Sequence, residues 1–216
     1  MKKALVLDFG GVISKTLFET HDLTEKALDL APGTLQWRGP FAPETDEPWQ
    51  RMQVGEITER DYWALRMEET AALVRADWTA FPDFLAAVRG TDPAAIIRPE
   101  ALAAFKGAKD MGCRLAVLSN ELDLFYGKDF RAKLPFLADF DVIVDATYTK
   151  ILKPDPRAFG FVTDALGLPA ESCLFVDDQK KNLRGAKEVG MPFVHFDVTN
   201  PGQSYSDALT LLKSKD

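Results

Sequence analysis

Ala4-Leu5-Val6-Leu7-Asp8 is the stretch from which the chain is read. Four apolar residues in unbroken succession mark a strand buried on both faces, and an aspartate stands where the strand stops. The same design recurs. Leu115-Ala116-Val117-Leu118 is followed by Ser119-Asn120, Asp141-Val142-Ile143-Val144 by Asp145, and Cys173-Leu174-Phe175-Val176 by Asp177-Asp178. After the Gly190-Met191-Pro192 turn, Phe193-Val194-His195-Phe196 is a fifth run, in which His195 reads as structural.

Helical signals separate these runs. Pro99 opens a helix with Leu102, Phe105 and Ala108 on one face, and Gly112 stops it. A weaker pattern predicts a helix from Asp123 to Ala132. Asp155 is a fair N-cap and Pro156 a good first helical residue for a helix burying Ala158, Phe161, Val162, Ala165 and Leu166, ended by Gly167 and Pro169. Leu183, Ala186 and Val189 mark another helical face, and a last helix is expected over Ser206 to Leu212. Alternating strands and helices predict an α/β fold, a Rossmann-like parallel sheet with helices on both faces. Ligands in such folds bind at the carboxyl ends of the strands.

One segment breaks the alternation. The 216 residues carry 26 Lys+Arg and 33 Asp+Glu, a net charge of −7. Residues 15–97 hold 8 Lys+Arg against 15 Asp+Glu, and all four tryptophans, whereas the remainder is balanced. That shift predicts an inserted all-α cap domain at 15–97 within a core domain of residues 1–14 and 98–216. In the cap, Leu23, Ala27 and Leu30 share a helical face, Pro32-Gly33 breaks that helix, and residues 33–50 read as a loop. Thr58 with Asp61 resembles a capping box ahead of a Trp63, Met67, Ala71, Val74 stripe, and Pro82 to Val88 forms a short fourth element. The tryptophans read as cap core, and Lys180, Lys181, Arg184 and Lys187 as a solvated helix face.

The acidic balance argues against a nucleic-acid partner, because phosphate-backbone binding wants a basic surface. No apolar run approaches the ~18 residues of a membrane span. The apolar part of Met1 to Leu7 is too short for a signal-peptide core, so a cytoplasmic location is expected. Cys113 and Cys173 lack metal-type spacing and are expected as reduced thiols.

The predicted strand ends gather Asp8, Asp145, Asp177-Asp178 and the Ser119 hydroxyl, with Lys153 in the loop after the third strand. Carboxylates so gathered repel one another unless a cation joins them, and a hard oxygen-ligand cation such as Mg²⁺ is the natural one. Lys153 and Ser119 are then free to hold an anion. Such a set suits phosphoryl transfer through an aspartyl-phosphate.

These motifs resemble those of the haloacid dehalogenase-like hydrolase superfamily. The matching segments are Leu5-Val6-Leu7-Asp8-Phe9-Gly10-Gly11-Val12, then Val117-Leu118-Ser119-Asn120, Lys153-Pro154-Asp155, and Phe175-Val176-Asp177-Asp178 with Asn182, Ala186 and Gly190-Met191 behind it. The resemblance implies that Asp8 is nucleophile and metal ligand. It makes the Gly10 carbonyl and Asp178 further ligands, with Asp177 as a ligand or just behind one. Ser119, the Asn120 amide and Lys153 would grip the phosphoryl group, with the backbone of Phe9 and Gly10 beside it. Asn182 would orient Lys153 or a metal-bound water.

Superfamily phosphatases usually carry a second aspartate, a general acid/base, two residues after the nucleophile; here that position is Gly10. Its loss typically costs 10²–10⁴-fold in rate. Three readings follow: a substrate with a good leaving group, another proton source such as His21 or Asp22, or a feeble catalyst that mainly binds. The Gly-Gly-Val-Ile form and the cap phrase Gly55-Glu56-Ile57-Thr58 resemble a subgroup with glucose-1-phosphate phosphatases and the epoxide hydrolase N-terminal phosphatase domain. The function expected is therefore a Mg²⁺-dependent phosphatase of a small phosphorylated metabolite, a sugar phosphate among the candidates. A 2-haloacid dehalogenase-type hydrolase and a weakly active phosphate-binding protein are the alternatives. Monomer and homodimer are equally open.

Overall fold

The computed structural model describes residues 3–89 and 92–214, so the first two residues of the Met1–Leu7 stretch lie outside the described residues. In chain order its elements are β1 (Ala4–Leu7), α1 (His21–Ala27), α2 (Glu47–Val54), α3 (Glu59–Val74), α4 (Phe81–Arg89), α5 (Pro99–Asp110), β2 (Arg114–Ser119), α6 (Leu122–Tyr126), β3 (Val142–Asp145), α7 (Ala146–Thr149), α8 (Pro156–Leu166), β4 (Cys173–Asp177), α9 (Lys180–Glu188), β5 (Phe193–His195) and α10 (Pro201–Lys213). Contacts divide the chain into two compact units. One runs up to Lys15 and resumes over Ile96–Asp123 and from Lys128 onward; the other is Thr16–Ala95 with Leu124–Gly127.

The first unit is an α/β fold. Its five strands are all parallel, in the order β3-β2-β1-β4-β5. Leu7 lies opposite both Val117 and Val176, and Ser119 opposite Asp145, so the residues that end β1, β2, β3 and β4 share one edge. Alternate side chains take opposite faces of the sheet. Ala4, Val6, Ala116, Leu118 and Phe175 pack with Phe159 and Val162 of α8 and Leu183 and Ala186 of α9. Helices α5 and α10 pack on one another, α5 also against β2 and α10 against β4 and β5.

Some expected helices differ. The predicted Asp123–Ala132 helix ends at Tyr126, before Gly127, and short 3₁₀ turns follow at Arg131–Lys133 and Pro135–Asp139. A glycine is the poorest helix former after proline. Helix α10 begins at Pro201, a residue suited to a first turn, rather than at Ser206. Cys113 and Cys173 are free thiols, and burial together with Glu171 pushes the Cys173 thiol up to about 11. Among the described residues, no helix is long and apolar enough to cross a membrane.

The second unit is helical, and its buried faces are more polar than the sequence pattern suggests. In α1 the predicted face is turned outward, with Leu23 48% exposed. His21, Thr24 and Glu25 are buried instead. Hydrogen bonding explains the inversion: the Thr24 hydroxyl donates to the Val88 carbonyl, and the Glu25 carboxylate accepts from the N–H groups of Gly33 and Leu35 at 2.9 and 2.8 Å. In α3 the Thr58–Asp61 capping box is present, and the fully buried stripe is Tyr62, Arg66 and Thr70, with Trp63 and Met67 packed beside it. Buried Asp46 accepts from the N–H groups of Gly39 and Trp49 and from the Tyr62 hydroxyl, and pairs with Arg66. Phe18 meets Trp37 and Trp49 edge-on at 5.6 and 5.3 Å, which places these tryptophans in the unit's core.

His21 lies buried against the Trp37 ring, centroids 4.2 Å apart, and neither ring nitrogen has a hydrogen-bond partner among the described residues. Burial, with the positive charges of Arg38 and Arg66, pushes its pKa down to about 4 against the opposing pull of Glu25 and Asp22. From this follows a pH dependence. Above pH 6.5 the imidazole is neutral whether folded or unfolded and contributes nothing. Between pH 6.5 and 4 the unfolded chain takes up a proton that the folded chain refuses, so stability is lost as pH falls, by about 3 kcal/mol in total. Urea unfolding across that range should show His21→Phe gaining on the wild type by this amount. Parallel stability curves would rule it out.

Candidate active site

The carboxyl edge of the sheet starts with a tight turn. The Asp8 N–H continues the ladder to the Val176 carbonyl at 3.0 Å, and the Asp8 carboxylate accepts from the Phe9 N–H at 2.7 Å. The Ser14 N–H donates to the Phe9 carbonyl at 2.9 Å and closes the turn. Gly11 has φ +76°, a conformation that favours glycine. Gly10 is different: φ −67°, ψ 128° suit any residue, and a Cβ built there meets nothing within 4 Å. Neither strain nor crowding requires glycine at position 10. The Phe9 side chain packs into the core edge-on to Phe130, centroids 5.7 Å apart, so only its backbone faces the turn.

Lys153 is the centre of the cluster. Its ammonium is buried, 3.0 Å from Asp8 Oδ1 and 2.7 Å from Asp177 Oδ2. Burial alone would lower its pKa, but Asp177 and Asp8 more than reverse this and hold it above the usual lysine range. The loop carrying it is fixed by Asn120, whose side-chain oxygen accepts from the Lys153 N–H at 2.7 Å and whose side-chain nitrogen donates to the Lys153 carbonyl at 3.2 Å. The Asn120 side chain is thereby committed to positioning Lys153.

The adjacent acids at the end of β4 and just past it have different surroundings. Asp177 is fully buried, and accepts from Lys153, from the Gln179 N–H at 2.7 Å and from both-oxygen contacts of Asn182 Nδ2 at 3.1 and 3.0 Å. Asn182 therefore orients Asp177, which in turn holds Lys153. Asp178 is half-buried; Gln179 Nε2 reaches its carboxylate at 3.4 Å and His195 Nε2 lies 3.1 Å from its carbonyl. One oxygen each of Asp8, Asp177 and Asp178 lie within 4.8 Å of one another. With Asp177 committed to Lys153, the pair Asp8 and Asp178 is the oxygen donor set that suits a hard divalent cation.

Ser119 is buried at the end of β2 on this edge. Asp145 shares the edge but has structural partners: the N–H groups of Thr147 and Asp123, and Arg131 at 2.6 Å. His21 belongs to the helical unit, as does Asp22. Sequence reasoning passed over Gly185 of α9. A Cβ there would stand 2.4 Å from the Pro154 carbonyl oxygen, so only glycine lets α9 approach the Lys153 loop. The available signal was a glycine inside a helical pattern, which often marks close backbone approach.

The unlike roles of the two acids are testable. Asp177→Asn leaves the buried Lys153 short of an anion and should cost about 3 kcal/mol. Asp178→Asn at a half-exposed position should change stability by no more than about 0.5 kcal/mol. Urea unfolding in the presence of a chelator separates these outcomes, and equal effects would contradict the assignment.

Comparison with known proteins places this geometry. The pattern of haloacid dehalogenase-like hydrolases matches residues 2–190. The phosphoglycolate phosphatase of Rhodospirillum rubrum is 30% identical over 213 residues, which cover 90% of this chain and 79% of that one. Phosphatase MT3486 of Mycobacterium tuberculosis is 32% identical over 93 residues, 43% of each chain. The chain thus spans less than half the length of some curated relatives it matches. Among solved structures, the L-2-haloacid dehalogenase RSc1362 shares the fold, with TM-score 0.64 and 18% identity over 99% of both chains.

Proposed function

Since the chain belongs to the haloacid dehalogenase-like hydrolases, we propose that this hydrolase is a Mg²⁺-dependent phosphatase of a small phosphorylated metabolite. The observation that carries the reading is the second acid: Asp177 is paired with Lys153, and half-buried Asp178 places a further carboxylate oxygen within 4.8 Å of those of Asp8 and Asp177. A reaction that needs no cation has no use for that pairing of like charges. The phosphatase relatives support the same reading.

In this scheme Asp8 attacks phosphorus, an aspartyl-phosphate bond forms, and the bond to the leaving oxygen breaks with its electron pair. Water then attacks the same phosphorus, phosphate departs, and the Asp8 carboxylate is restored. Ser119, the Asn120 backbone N–H and Lys153 hold the phosphoryl oxygens, with the Phe9–Gly10 backbone beside them. Asp8, Asp178 and the Gly10 carbonyl would hold Mg²⁺, which supplies charge neutralisation for the transferred group. Two carboxylates face Lys153 in the free enzyme and hold it protonated; in the intermediate Asp177 and the phosphoryl oxygens would take over that role.

Gly10 provides no proton donor for the leaving oxygen. The substrates that suit it have leaving oxygens that need less protonation than an ordinary alcohol's, such as the anomeric oxygen of a sugar 1-phosphate or the carboxylate of an acyl phosphate. The same glycine supports the second reading, a 2-haloacid dehalogenase, since an expelled halide needs no proton.

A panel of phosphate monoesters with Mg²⁺ should show turnover, favouring sugar 1-phosphates over sugar 6-phosphates, and abolished by EDTA and by Asp8→Asn. Chloride release from 2-chloropropionate without phosphatase activity would transfer the assignment to the dehalogenase. Because position 10 accepts a side chain without strain or clash, Gly10→Asp is a clean test of the leaving-group argument. Sugar 1-phosphate turnover should stay within about fivefold, against the 10²–10⁴-fold that a needed acid/base restores.

A further inference from the structure

We infer that Arg98 and Tyr205 are positioning residues that clamp the turn after Asp8 and so fix the Gly10 carbonyl and the neighbouring N–H groups for catalysis; this deepens the phosphatase reading and rests on it. The turn contains two successive glycines, the residue type that loses most conformational freedom on ordering. A segment expected to supply a metal-binding carbonyl must nevertheless be held to within a fraction of an ångström.

The restraint comes from far along the chain. Arg98 Nε and Nη2 both donate to the Gly11 carbonyl, at 3.1 and 2.9 Å, and the Tyr205 hydroxyl donates to the Val12 carbonyl at 3.0 Å. Two consecutive carbonyls of the turn are therefore held by side chains from different elements. Arg98 is the largest fully buried side chain among the described residues, and its guanidinium lies over the Phe196 ring, 5.4 Å from the centroid. Phe196 in turn meets Tyr205 at 5.1 Å, so the clamp is packed as one body. The backbone is tied as well: the Arg98 N–H donates to the Ile13 carbonyl at 3.0 Å, and Lys15 N–H to the Ile96 carbonyl at 2.7 Å.

Burying an arginine costs several kcal/mol unless its donors are well used. Here two of them converge on the carbonyl of the left-handed Gly11, one peptide along from the Gly10 carbonyl. Burial pushes the Tyr205 phenol well above its ordinary pKa, against the charge of Arg98, so it remains a donor at any working pH.

The test uses Tyr205→Phe, which deletes one oxygen, and Arg98→Met, which keeps the aliphatic stem. Two readouts need no turnover. The first is amide hydrogen exchange at Gly10, Gly11 and Val12, with β1 as the internal control. The second is the Mg²⁺ concentration giving half-maximal thermal stabilisation. In Tyr205→Phe, exchange in the turn should rise at least about tenfold with β1 unchanged. The Mg²⁺ midpoint should rise several-fold, and kcat should fall with KM held. Arg98→Met, if it folds, should show larger changes of the same kind; if it does not, Tyr205→Phe decides alone. Exchange at wild-type rates overturns the inference, and so does accelerated exchange with an unmoved Mg²⁺ midpoint. A wild-type protein that Mg²⁺ does not stabilise would refute the metal-dependent reading but not the clamp, which the exchange rates would then decide.

Discussion

A buried ammonium between two carboxylates organises the carboxyl edge of the sheet. Lys153 cannot be charged in the interior without Asp8 and Asp177, and neither acid could lie so close to Asp178 without Lys153. The surroundings follow from that constraint. Asn120 grips the Lys153 backbone, Asn182 and the Gln179 N–H hold Asp177, and Gly185 lets α9 come up against the Lys153–Pro154 loop. The parallel sheet serves it too, because register brings Asp8 and Asp177 to the same level on adjacent strands.

The arrangement divides labour between two neighbouring acids. Asp177, the last residue of β4, is fully buried, and Asp178, one residue past the strand, is half-buried. One acid neutralises a buried lysine; the other stands half-buried near Asp8. Gly10 shapes the chemistry by omission. Its backbone conformation suits any residue and a Cβ there meets nothing within 4 Å, so the fold does not demand glycine at that position.

Much of this was legible in the sequence, and for a physical reason. Strands buried on both faces write themselves as continuous apolar runs, so Ala4–Leu7 and Cys173–Val176 were found nearly to the residue. In a parallel sheet every strand end meets the same edge, which made Asp8, Ser119 and Asp177-Asp178 visible as a group. Helical periodicity was less informative where polar groups are buried with partners. Leu23 marked the wrong face of α1 because Thr24 and Glu25 turn inward to bond backbone groups of distant residues. The split between Asp177 and Asp178, and the roles of Gly185, Arg98 and Tyr205, depend on contacts across long sequence separations that one chain's pattern does not encode.

In the proposed mechanism Asp8 carries the phosphoryl group. Protein turning over a phosphate monoester, quenched in acid and digested, should yield a peptide containing Asp8 with one added phosphoryl group that is labile to alkali. Steady turnover of the same substrate with no modification of that peptide, or with the phosphoryl group on another residue, would contradict the account.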